Sequence, residues 1–94
     1  MSEKEIIQGV FDLHKRWVEE GIEMAKDSAV ECNPQAALQQ FYKAVLALKG
    51  LEAVFTKEIP EVTKYVTERK EAIAKQDIPE LANALKKCMI KRSP

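Results

Sequence analysis

Cysteine, histidine and glycine are all scarce in this 94-residue chain, and each scarcity removes a class of function. Two cysteines, Cys32 and Cys88, are too few and too far apart for a disulfide framework, and they lack the paired short spacing of a zinc site. Reduced thiols in a cytoplasmic protein are therefore expected. His14 is the sole histidine. A carboxylate-bridged metal site in a helical bundle needs a Glu three positions before an inward histidine, and that position holds Phe11, so no metal is expected. Gly9, Gly21 and Gly50 stand alone inside helical patterns, which leaves no phosphate-cradling loop and no dinucleotide fingerprint.

Long hydrophobic runs are missing too. The longest, Ala44 to Leu48, has five residues, far below the roughly 20 that span a bilayer. The start MSEKEIIQGV puts acids before any apolar run and carries no small-residue cleavage pattern, so a secretory signal is not expected. A soluble chain with no membrane partner is the expectation. There is no excess of either charge: 15 Lys and Arg balance 15 Asp and Glu, which removes an overall drive toward nucleic acid. The balance hides a gradient, because residues 1–33 carry eight acids against four bases and the remainder is correspondingly basic. Such a gradient fits an acidic helix beside basic neighbours, or a polarised surface for a partner.

What the chain does have is helical periodicity. Residues 36–55, AALQQFYKAVLALKGLEAVF, place apolar side chains in nearly every helical direction, with Lys43, Lys49 and Glu52 as the sole charges. A helix with so little polar face is expected to be covered on several sides. Helix 1 is expected to start at Ser2, where Ser2 and Glu5 have capping-box spacing, and to run to about residue 31. Its stripe is Ile7, Val10, Phe11, His14, Val18, Ile22, Ala25, Ala29 and Cys32. At about 1.5 Å per residue it would be half again as long as the central helix, so it bends or overhangs. Asn33-Pro34 signals the start of helix 2, which is expected to end near Lys57. Ile59-Pro60 breaks the chain before a third helix with Val62, Tyr65, Val66, Arg69 and Ile73 on one face. Asp77 and Glu80 have the spacing to cap a fourth helix, striped by Ile78, Leu81, Ala82, Leu85, Cys88 and Met89 and closed by Lys86, Lys87, Lys91 and Arg92. Length fits one domain over 1–94. The predicted architecture is all-α: a small antiparallel bundle of four helices, with a long helix 1, a central apolar helix 2 and shorter helices 3 and 4, the alternative being three helices with the first one projecting.

No catalytic residue or cofactor site emerges, and a non-enzymatic protein–protein interaction module is expected. Leu13, Trp17 and Met24 form a second apolar strip on an already amphipathic helix 1, and Trp and Met are enriched at recognition surfaces. The partner is expected to be another protein or a second copy, as a homodimer joined through helix 1. His14, within the core stripe, is a candidate buried polar group. The rival reading makes the bundle a small-molecule or metal-responsive sensor built on His14 and a cysteine. A weaker rival is nucleic-acid binding through the KKCMIKR end, whose four cations lack interleaved aromatics and also suit the negative end of a helix dipole. The helix order, carried by KAVLALKGLEAVF and DIPELANAL, resembles the flagellin export chaperone bundle, and to a similar degree a microtubule-interacting-and-trafficking three-helix hairpin. Layout of this kind is fold analogy and implies no function of its own, though both share a groove that accepts an amphipathic helix.

Overall fold

Three rods account for the architecture in the computed structural model, which describes residues 1–92, the side chain of Arg92 excepted. The first is α1 (Glu3–Val30) and the second α2 (Pro34–Phe55). The third is continuous and has three parts: α3 (Pro60–Ala72), a π-helical segment (Ile73–Asp77) and α4 (Ile78–Arg92). No strand occurs among the described residues. The all-helical expectation holds, and the count of four helices is corrected to three with a long last one.

The local stops and starts follow from single residues. Ser2 Oγ accepts from the Glu5 amide at 3.2 Å, capping α1. At the other end the Cys32 amide donates to Ala29 O and the Asn33 amide to Ser28 O, the paired bonds of a Schellman stop. That motif requires a left-handed residue, and Cys32 adopts it with φ of 62° where glycine is usual. Cys32 thus leaves the helix 1 stripe. Asn33 Oδ1 then accepts from the Ala36 amide at 3.2 Å, and Pro34 opens α2. Extended Ile59 before Pro60 opens α3.

The expected break near residue 77 does not occur. Proline inside an α-helix collides with the carbonyl four residues back and lacks an amide to give it. Here the register widens before Pro79: the Ile78 amide donates to Ile73 O, five residues back, so the helix passes the proline without ending. Asp77 is consequently no cap. It lies inside the rod, and the widened turn points its side chain into the bundle, where it is buried.

The most extensive packing is between α1 and α2, while α3 lies on α2 and α4 lies on α1. The third rod therefore crosses the back of the α1–α2 pair diagonally. Beneath α3, Leu48 and Leu51 of α2 meet Val62 and Val66 together with Phe11, Val18 and Ile22 of α1. Beneath α4 the core is thinner, with Ala25, Ala29 and Ala37 against Leu81. At Gly21 the two front helices touch: a Cβ there would sit 2.9 Å from Ala44 Cβ, so only glycine permits this approach. The extra turns of α1 are its first ones, and they do not overhang freely: Ile7 and Gln8 lie beside Ile59 and Pro60 of the α2–α3 turn. The Cys32–Cys88 disulfide pins the α1–α2 turn to the last turns of α4, with Cα atoms 5.5 Å apart. This corrects the expectation of reduced thiols and withdraws the ground on which a reducing compartment was expected.

Candidate functional site

A three-rod slab has a back, crossed by α3 and α4, and a front formed by α1 and α2 alone. The front is where the expected recognition residues lie. Leu13, Trp17 and Met24 are 38%, 48% and 50% exposed, and Ile6 is 51% exposed. With half-buried Val10 and exposed Glu20, these residues recur at positions 6, 10, 13, 17, 20 and 24, alternating steps of four and three. Such alternation is the seam spacing of helices that pack against another helix. The second strip read from the sequence, Leu13, Trp17 and Met24, left out Ile6 and Glu20, which lie on the same seam.

Beside the seam runs a shallow groove in which Trp17, Glu20, Gly21 and Met24 of α1 face Gln40, Lys43 and Ala47 of α2. The contact at Gly21 brings the helices close enough to keep it shallow. On the α2 wall the side chains shrink after Lys43, with Ala47 facing the groove. Gly50, one turn on from Ala47, would present a Cβ to open space, and Val54 beyond it is exposed. Glu20 and Lys43 carry opposite charges across the groove, and neither has an ion pair among the described residues.

His14 is half-buried at the edge of this face. Its Nδ1 lies 2.8 Å from Val10 O, and since a carbonyl can only accept, Nδ1 is the protonated nitrogen. The ring sits 4.8 Å from the Trp17 indole and 6.1 Å from the Phe55 ring, so it wedges the indole against the front. Both cysteines are bound to each other, and Cys32 lies beyond the end of α1 at Val30, itself about 24 Å of helix from His14. The pairing of His14 with a cysteine that the sensor reading needs is thus corrected: neither thiol is free or close. Among the described residues no group of three His, Cys, Asp or Glu side chains is placed to hold a metal ion. No helix among them is long and apolar enough to cross a membrane.

Two further features lie on the back. Asp77 Oδ1 is 2.8 Å from Lys26 Nζ of α1, and its Oδ2 is 3.2 Å from Arg69 Nη2 of α3. Lys26 also reaches Glu80 at 2.9 Å. The hydrogen bonds to Asp77 and then to Glu80 hold the Lys26 ammonium above its ordinary pKa. Arg69 thus meets an acid of its own rod, eight residues further on. Where the diagonal third rod has moved away from the first half of α2, Leu38, Phe41, Tyr42 and Val45 are left as an apolar patch. Leu38 and Tyr42 are exposed there, and Leu46 and Val54 further along, so α2 is not covered on several sides as its sequence predicts. On α4, Leu81 and Cys88 face the core, whereas Ile78 and Met89 of the same expected stripe are exposed. Lys87 and Lys91 flank a surface depression with Val30, Glu80 and Asn83.

No family model, curated protein or solved structure matches the chain.

Proposed function

We propose that the protein is a non-enzymatic helical interaction module whose binding surface is the α1–α2 front. The observation that carries this reading is the run of large apolar side chains, Ile6, Leu13, Trp17 and Met24, that lie about half-exposed along one seam of a helix whose other face fills the core. Covering a half-exposed side chain of this size is worth about 1 kcal/mol. Four of them on a rigid helix give a partner a concentrated source of affinity, with the lone Trp as the natural anchor. The groove beside the seam supports the same reading, since helix-in-groove recognition uses apolar anchors at such steps.

The test is capture from a lysate of the source organism with tagged wild type and tagged Trp17→Ala in parallel. The reading expects a protein, or the untagged copy of this chain, enriched by the wild type and lost with the substitution. Equal recovery with both baits, in a Trp17→Ala protein that melts like the wild type, would contradict it.

A further inference from the structure

The occupant of the front can be argued from its charge and its relief. We infer that a second copy of this chain covers it, in a two-fold pair that lays α1 of each copy over α2 of the other. The inference rests on the interaction reading above and names its partner.

The first argument is shape. The front is uneven in a self-complementary way: α1 presents bulky side chains, Leu13, Trp17 and Met24, while α2 has a low stretch at Ala47 and Gly50, between the longer Lys43 and Val54. A two-fold axis parallel to the helices and centred on the groove turns the α1 row of one copy onto the α2 wall of the other. The rotation preserves height, so Trp17 of the second copy arrives near Ala47, its own groove neighbour within one chain, with Gly50 one turn further on. It also preserves direction, so α1 of one copy meets α2 of the other antiparallel, as the two already meet within the chain.

The second argument is charge. The same rotation sets Glu20 of each copy beside Lys43 of the other, and both are exposed without ion pairs among the described residues. An isologous interface needs this property, each residue finding its counterpart twice. A partner helix of one charge sign would satisfy one wall of the groove and meet repulsion at the other. The third argument is area. A face about 42 Å long and about 20 Å across, two helices wide, offers roughly 800 Å² per copy, the standard size for a stable interface.

Sedimentation equilibrium of the full chain, run up to about 100 µM because interfaces of this size bind in the micromolar range or tighter, reads the inference. The wild type is expected at dimer mass. Glu20→Lys and Lys43→Glu each place like charges at both contacts and are expected to weaken the dimer at least about tenfold. An equimolar mixture of the two variants restores opposite charges at both contacts and is expected to re-form the dimer as a hetero-pair. Gly50→Leu adds a side chain where the single chain has open space, so it is expected to keep the fold and lose the dimer. A wild type monomeric at every concentration overturns the inference, and so does a dimer in which neither charge substitution nor their mixture changes the mass. If a monomeric wild type still captures a different protein through Trp17, the interaction reading survives and the second copy is excluded. A monomer that captures nothing ends both.

Discussion

Asp77 is the residue on which the back of the molecule turns. Its carboxylate takes one cation from α1 and one from α3, so it ties three segments at the point where the third rod crosses the pair in front. Replacing it by Asn leaves Lys26 and Arg69 facing a neutral amide. Because both cations keep partial access to solvent, Asp77→Asn is expected to cost about 2 kcal/mol in urea unfolding, less than a fully buried pair would. A midpoint unchanged by the substitution would show the cluster to be surface decoration. Tyr65 is a second reporter. Its hydroxyl is buried with no hydrogen-bond partner among the described residues, and burial, aided by the nearby Glu19 charge, pushes its pKa up to about 12. The fold therefore holds the neutral phenol. That contribution to stability is complete below the unfolded-state value near 10 and is lost as pH rises toward 12, the same direction as the loss of the Lys26 ion pairs on deprotonation. In a Tyr42→Phe variant, which leaves Tyr65 as the one phenol, phenolate absorbance is expected to appear near pH 12. Appearance near 10 would mean that Tyr65 is solvated.

At the scale of helices, ends set by a local pair of residues were legible in the sequence. Ser2 with Glu5, Asn33 with Pro34 and Ile59 with Pro60 each act within one turn, and each stands where its spacing indicates. Asp77 with Glu80 has the same spacing and misleads, because a buried carboxylate flanked by two cations from elsewhere in the fold outweighs a cap worth about 1 kcal/mol. Local pattern cannot reveal that Lys26 will be there. The disulfide was hidden for a related reason: 56 positions separate Cys32 from Cys88, and only the parallel run of α1 and the third rod brings them together. Closing a loop of that length stabilises by roughly 4 kcal/mol in the chain-entropy account. The alanine-rich packing under α4 has little to replace it with. Reduction, or Cys88→Ser, is expected to lower the unfolding midpoint and to raise amide hydrogen exchange in α4 well before α1 and α2. An exchange pattern unchanged by dithiothreitol would show that α4 is held by its packing alone.

The whole molecule is long and thin, 60 by 23 by 14 Å between outermost Cα positions, because its three rods form a slab and not a closed bundle. A slab protects one side of its central pair and bares the other. This shape could not be read from the chain, since a side chain on the core stripe and one on the front stripe belong to the same residue types. Leu13, Trp17 and Met24 stood out by composition, whereas Ile6, Glu20, Lys43 and Gly50 gained meaning only when α2 was placed beside α1. On the inference above, a second copy covers the front in the working protein. The chain's single Trp sits on that front, half-exposed, and so reports on it without ambiguity. Trp17 emission, followed from high dilution to about 100 µM alongside the sedimentation mass, is the most direct measurement. The account predicts a red-shifted spectrum at high dilution that moves to the blue as the mass doubles, both with one midpoint. A spectrum that stays constant while the mass remains that of one chain would contradict it.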